Sequence, residues 1–262
     1  MPSFEWPSRC LENDMDCTLE PSHTAKNNLK LILSTGDFTK MSRLPTGSNM
    51  AYESVLTAPG EMGVRVVYKP AVGEAPLRDF PAGSLYKREY AAYLLSDLLG
   101  WGLVPCTVIR EGPHGIGMVQ KFIDHDPVLH YFSVNADYVD EFKLIATFDL
   151  LLNNADRKSS HCLLDKNGRV WSIDHGVTFH EEPKHRTVIW DYVGQKISKN
   201  VIDDLSVFNN MLAKNSSDLV PFFALLNPLE QKAFIERLNR IILDPIFPEP
   251  DTNRRSYPWP ML

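Results

Sequence analysis

The chain has 262 residues, 44% hydrophobic and 23% charged, enough apolar material for one large domain or two small lobes around a cleft. Its 27 basic against 33 acidic residues give a formal charge of −6, which argues against a general nucleic-acid binder. No run of about 18 apolar residues is present to span a bilayer, and no basic stretch followed by an apolar core marks a signal peptide.

Residues 1–28 are polar, lack periodicity and are broken by Pro2, Pro7 and Pro21, so they are expected to form a poorly ordered arm. The run Leu29-Lys30-Leu31-Ile32-Leu33 fits a strand and a short helix equally. From Leu44 the pattern reads strand, small-residue loop, strand, turn, strand, an antiparallel meander ending in Val66-Val67-Tyr68-Lys69-Pro70. In the loop, Gly47, Ser48 and Asn49 are small enough for backbone N–H groups to approach an anion. Ser48 and Asn49 are therefore candidate phosphate contacts, although an ordinary hairpin loop has the same composition.

A helix is expected over residues 84–99, stopped by Gly100, with Ala91, Ala92, Leu95, Leu98 and Leu99 on its apolar face. Glu89 lies at the edge of that face, within reach of Lys69, with Arg88 and Glu74 as competing local partners. Two more strands, residues 104–109 and 117–123, flank a Gly-Pro-rich turn. Asp124-His125-Asp126, with His114 and His130 nearby, has the residue types of a metal-dependent phosphohydrolase. Those enzymes present their ligands from helices, and this half of the chain is β-rich, so a solvated linker is expected instead. The four cysteines, Cys10, Cys17, Cys106 and Cys162, form no CxxC pair or zinc-finger spacing. Reduced thiols and a cytoplasmic location follow as the expectation.

The second half reads as mostly helical. An amphipathic helix over residues 137–153 runs into Asn153-Asn154-Ala155-Asp156-Arg157-Lys158-Ser159-Ser160-His161. Two short strands follow, joined by Asp165-Lys166-Asn167-Gly168, whose Asn-Gly pair is a hairpin signal. The hairpin returns Ser172-Ile173-Asp174-His175-Gly176 to the end where Asp156, Lys158 and His161 stand. Two carboxylates, a cation and an imidazole converging there suit a metal–phosphate complex. A charged loop spans residues 180–186, and Asn227-Pro228-Leu229-Glu230 opens the final helix with a cap, a proline and a reciprocating glutamate. From Pro245 the chain is proline-rich and expected to be irregular.

Lys158, His161 and Asp174 follow Asp156 by two, five and eighteen residues. Kinases carry a catalytic-loop aspartate, a basic residue at the second position, a metal-binding asparagine at the fifth and a further aspartate opening an Asp-x-Gly turn. The segments 148–157 and 173–179 resemble type II phosphatidylinositol 4-kinases and are similar to HipA-like bacterial toxin kinases, which carry Asn-x-Asp-Arg. Above all, they resemble an uncharacterised bacterial family of about this length described as phosphatidylinositol 3-/4-kinase-like. The resemblance covers residues 44–197.

The resemblance implies an α+β, two-lobed protein-kinase-like fold. Residues 29–123 would form a small antiparallel N-lobe, residues 124–245 a helical C-lobe and residues 246–262 an irregular tail. It also implies ATP in the cleft, with Lys69 on the α- and β-phosphates, Glu89 orienting it, and Gln120 and Phe122 at the adenine. Asp156 would act on the acceptor hydroxyl, Lys158 would offset charge on the moving phosphoryl group, and Asp174 and His161 would hold Mg²⁺ or Mn²⁺. The family carries asparagine where His161 stands. Imidazole binds Mg²⁺ less readily than an amide oxygen does. That departure leaves open Mn²⁺, a phosphate contact by His161, and a nucleotide-binding scaffold without turnover. AMP transfer on the same fold is open as well. The cysteine-rich insertion of the type II lipid kinases has no counterpart here. With an acidic chain, the expected acceptor is a protein or small soluble molecule ahead of an inositol lipid, with Lys184-His185-Arg186 as the place to touch an anionic one.

Overall fold

Along residues 64–70, buried Val66, Tyr68 and Pro70 alternate with less buried Arg65, Val67 and Lys69, the period of a strand with one covered face. In the computed structural model, which describes residues 23–262 except Thr46 and Glu61, that strand is the middle of a sheet. The chain begins with α1 (His23–Thr35), β1 (Asp37–Arg43), β2 (Tyr52–Thr57), β3 (Val64–Pro70), α2 (Leu85–Leu98), β4 (Thr107–Gly112) and β5 (Gly115–Lys121). The five strands form one antiparallel sheet in the order β1-β2-β3-β5-β4.

Two expectations are corrected here. The arm was set at residues 1–28; residues 1–22 lie outside the described residues, but residues 23–28 are the first half of α1. Tertiary contacts make that helix: Ile32 and Leu33 are buried in one cluster with Leu56, Val66, Tyr68 and Val119, and Lys26 and Lys30 pair with Asp97 of α2. Leu29-Lys30-Leu31-Ile32-Leu33 is therefore helical. The first strand precedes Leu44 and runs over Asp37–Arg43, an edge strand whose largely exposed, polar residues carry no apolar alternation.

The rest of the chain contains α3 (Tyr131–Val134), α4 (Val139–Leu152), a two-stranded hairpin of β6 (Cys162–Leu164) and β7 (Val170–Ser172), then α5 (Lys199–Ala213), α6 (Val220–Phe223) and α7 (Pro228–Leu243). Gly168 takes the left-handed conformation that the Asn-Gly turn needs (φ 79°). Phe142, Ile145, Phe148, Leu151 and Leu152 of α4 are buried in one core with Phe179, Phe208, Phe222 and Phe234. The Phe222 ring lies 5.2 Å from that of Phe234 and 5.7 Å from that of Phe179. The tail after α7 has no helix or extended strand, yet it is fastened down: Thr187 N–H donates to the Ser256 carbonyl and Ser159 N–H to that of Met261. Among the described residues, no helix is long and apolar enough to cross a membrane.

Candidate active site

Lys69 alternates with buried Tyr68 and Pro70, so its side chain leaves the opposite face of β3. Its Nζ donates to Glu89 Oε1 at 2.6 Å and to Asp174 Oδ1 at 2.8 Å. Glu89, 2% exposed on α2, also accepts the His175 N–H through Oε2 at 2.8 Å. One carboxylate thus ties together the sheet, α2 and the turn carrying Asp174. Burial by itself would favour the neutral amine of Lys69, but Asp174 and Glu89 outweigh it and raise its pKa. Burial raises the carboxyl of Glu89, against the pull of Lys69. Asp174 is disfavoured as an anion by desolvation, but Lys69 and His161 overcome this and hold it below the usual carboxylate range. Asp174 also sits in the left-handed region (φ 61°), a conformation that costs a non-glycine residue about 1 kcal/mol and must be supplied by its surroundings.

The main surrounding is Arg157, fully buried one residue after Asp156. It donates Nε and Nη2 to the two carboxylate oxygens of Asp149 at 2.8 and 2.9 Å, the bidentate geometry that only a guanidinium makes. Nη1 donates to the carbonyls of His161 and Ile173, and Nη2 to Ser172 Oγ and His175 Nε2. Because His175 Nε2 accepts, that ring is neutral, and burial followed by Arg157 pushes its pKa well down. Arg157 thereby spans the loop of Asp156 and the turn of Asp174. Asn154 adds to the frame, donating Nδ2 to Asp149 and accepting the Asp156 N–H. Sequence reasoning assigned no role to Arg157. The available signal was Asp149, a lone acid inside the apolar run of α4.

Asp156 and Lys158 pair on the loop at 3.0 Å, and His161 Nε2 lies 3.3 Å from Asp174 Oδ2. Burial raises the carboxyl of Asp156, partly offset by Lys158. Burial, then Arg157 and the lysines, lowers His161 to about 4 against the pull of Asp174. An imidazole nitrogen and a carboxylate oxygen side by side fit a divalent ion that tolerates nitrogen, Mn²⁺ more readily than Mg²⁺. Among the described residues no group of three or more His, Cys, Asp or Glu could hold a metal alone, so phosphate oxygens or water would complete such a site. The structure thus brings Lys69, Glu89, Asp174 and His161 into one chain of contacts, with Asp156 and Lys158 paired beside it.

Other candidates stand differently. Asn49 Oδ1 accepts the Ala75 N–H and Met50 N–H donates to the Gly73 carbonyl, so the side-chain oxygen of Asn49 fastens its loop to the segment after β3. Ser48 is exposed. Gln120 and Phe122, expected at the adenine, have side chains with partners inside the sheet. Gln120 is paired between β3 and β4 and turns its buried amide to Thr107 Oγ1. Phe122 donates its N–H to the Arg65 carbonyl and holds its ring under the Arg65 guanidinium at 4.0 Å. Both side chains are held within the sheet. Two of the three residues at 184–186 are likewise engaged: Lys184 pairs with Asp79 at 2.8 Å, and the His185 ring meets Trp190 edge-on at 5.4 Å. Backbone bonds from Arg157 N–H to the Arg186 carbonyl and from Val188 N–H to the Arg157 carbonyl lay this segment along the loop of Asp156.

A family profile described as "Phosphatidylinositol 3- and 4-kinase" matches residues 109–226. Protein Rv2133c of Mycobacterium tuberculosis is 34% identical over 274 residues, covering 90% of this chain and 96% of that protein. Phosphatidylinositol 4-kinase gamma 4 of Oryza sativa subsp. japonica is 30% identical over 139 residues, 46% of this chain and 25% of that longer protein. Among solved structures, the golgi casein kinase matches with a TM-score of 0.53 over 85% of this chain and 74% of its own, at 14% identity, a likeness of fold alone. The α+β, two-lobed architecture is accordingly the kinase-like one. The chain belongs to one family with protein Rv2133c, and its residues 109–226 carry the phosphatidylinositol 3- and 4-kinase profile.

Proposed function

We propose that the chain is an ATP-dependent phosphotransferase that moves the γ-phosphoryl group to a hydroxyl of a protein or small soluble molecule. The observation that carries this reading is the chain of contacts Glu89–Lys69–Asp174–His161, joining sheet, helix and turn at the mouth of the catalytic loop. Lys69 binds the α- and β-phosphates and Glu89 keeps it aimed. Asp156 accepts the proton of the attacking hydroxyl, a task its raised pKa favours. The acceptor oxygen bonds to the γ-phosphorus as the bond to the β–γ bridging oxygen breaks, and ADP leaves with that electron pair. Lys158 offsets charge on the group in flight. Asp174 and His161 would hold Mg²⁺ or Mn²⁺, which when bound supplies neutralisation of phosphate charge. Small residues of the β1–β2 loop, Ser48 among them, cover the phosphates, and the connection after β5, from Ile123 onward, meets the adenine.

A soluble acceptor is favoured by the net charge of −6 and by the pairing of Lys184 with Asp79, which removes one cation from an anionic headgroup. A second reading, a nucleotide-binding scaffold without turnover, draws on His161 in the place of the usual asparagine. The test is a transfer assay with ATP labelled at the γ- or α-position, with Mg²⁺ and with Mn²⁺, and an acceptor panel that includes phosphoinositide vesicles. Release or transfer of γ-label alone supports the proposal. Transfer of α-label would establish AMP transfer, binding without chemistry would establish the scaffold, and label in pelleted lipid would overturn the acceptor choice.

A further inference from the structure

Glu89 is not the only residue holding α2 against the helical half of the chain. Its neighbour Arg88, 4% exposed, donates Nη1 to the Thr178 carbonyl at 2.5 Å and Nη2 to Glu230 Oε1. Its guanidinium also lies over the Phe80 ring at 4.9 Å. Glu230 is equally buried and has two tasks. Oε2 accepts the Asn227 N–H at 2.9 Å and so closes the first turn of α7, while Oε1 reaches α2. Thr178 belongs to the turn after Asp174 and donates its own hydroxyl to the His175 carbonyl at 2.7 Å. Gly176 is seated directly on α2: a Cβ there would stand 3.4 Å from Leu85 Cβ and 3.8 Å from Glu89 Oε1.

A buried arginine–glutamate pair is a poor device for stability, because desolvation of both charges offsets their attraction, but breaking it strands a charge in the interior. Such a pair suits fixing one arrangement out of several. Neither Arg88 nor Glu230 touches Lys69 or Asp174, so any effect on phosphoryl transfer passes through the position of α2.

We infer that Arg88 and Glu230 form a positioning clamp that locks α2 onto the Asp174 turn, so that Glu89 meets Lys69 without an activating modification or partner. The inference deepens the phosphotransferase reading and rests on it for its kinetic part. Glu230→Gln keeps an oxygen for the α7 cap and removes the charge facing Arg88. Asn227→Ala removes the other half of that capping box, the side-chain oxygen that accepts the Leu229 and Glu230 N–H groups, and leaves the clamp, which makes it the control for helix stability.

Two readouts are taken on the full chain. The first is kcat against KM for ATP. The second needs no turnover: labelling of Lys69 by trinitrobenzenesulfonate, followed by mass spectrometry. Glu230→Gln is expected to lower kcat by at least about tenfold with little change in KM, in line with the cost of a misplaced catalytic geometry, and to speed Lys69 labelling several-fold. Asn227→Ala is expected to do neither. Equal effects of the two variants on both readouts would overturn the clamp. Should Glu230→Gln fail to fold, Arg88→Lys, which keeps the charge and loses the second hydrogen bond, carries the same comparison. A wild-type protein that transfers no phosphoryl group would sink the phosphotransferase reading, and Lys69 labelling would still decide the clamp.

Discussion

His161 is the residue whose identity departs most from a kinase loop, and its environment changes what it does. An exposed imidazole has a pKa near 6.5; desolvation among Arg157, Lys158 and Lys69 moves this one to about 4. The ring therefore stays neutral, with a nitrogen lone pair available, across the whole neutral range. Metal-dependent nucleotide binding should accordingly be flat from pH 7.5 to about 5.5 and weaken only as pH falls toward 4. Isothermal titration with Mn²⁺ and a non-hydrolysable nucleotide at stepped pH values measures this. A drop centred near 6.5 that disappears in His161→Asn would contradict the neutral ring.

The element that carries the candidate site is the unit formed by the end of α4, the loop of Asp156 and the β6–β7 hairpin, and Arg157 holds it together. Replacing Arg157 by methionine leaves Asp149 charged, buried and unpaired, and strips donors from two carbonyls, Ser172 and His175. The loss should be on the order of 3–5 kcal/mol, read as a lowered urea midpoint. A loss under about 1 kcal/mol would show that the network does not bear on the fold.

At this scale much was readable from sequence. The helix around Ala91 and Leu95, the helix feeding the Asn153 loop, the Asn-Gly hairpin and the capped start of α7 each have periodicity or cap residues that point one way. The loop-and-turn spacing from Asp156 to Asp174 was readable because a short hairpin forces both ends together. The first half of α1 and all of β1 were not, because what orders them lies elsewhere in the chain. Lys26 and Lys30 need Asp97, and β1 needs β2. The expectation for Gln120 and Phe122 rests on where a strand ends, and the side-chain partners of both, Thr107 and Arg65, lie on other strands of the sheet. Arg157 was legible only in combination with Asp149, eight residues earlier.

Across the whole molecule, several imidazoles are buried in the neutral state, which links stability to pH. For His161 the folded pKa of about 4 lies below the ordinary 6.5, so between those values the unfolded chain binds more protons and stability is lost as pH falls. At pH 5 the loss from His161 alone is about 2 kcal/mol. His185, also lowered to about 4 by burial, adds to it, while the raised carboxyls of Glu89 and Asp156 oppose it at the acid end. The urea midpoint should fall between pH 7 and pH 5; a midpoint that is level or rises over that interval would contradict neutral buried rings.

The central proposal is that the site around Lys69, which joins Glu89 to Asp174, transfers the γ-phosphoryl group of ATP to an acceptor hydroxyl. The most direct measurement is γ-labelled ATP turnover by the wild-type chain and by Lys69→Met, each checked for native circular dichroism, with Mn²⁺ and Mg²⁺. The account predicts release or transfer of γ-label by the wild type and a loss of at least about a hundredfold in the variant, since the proposed hydrogen bonds from the lysine to phosphate would go with it. Equal turnover by a folded Lys69→Met variant would contradict it.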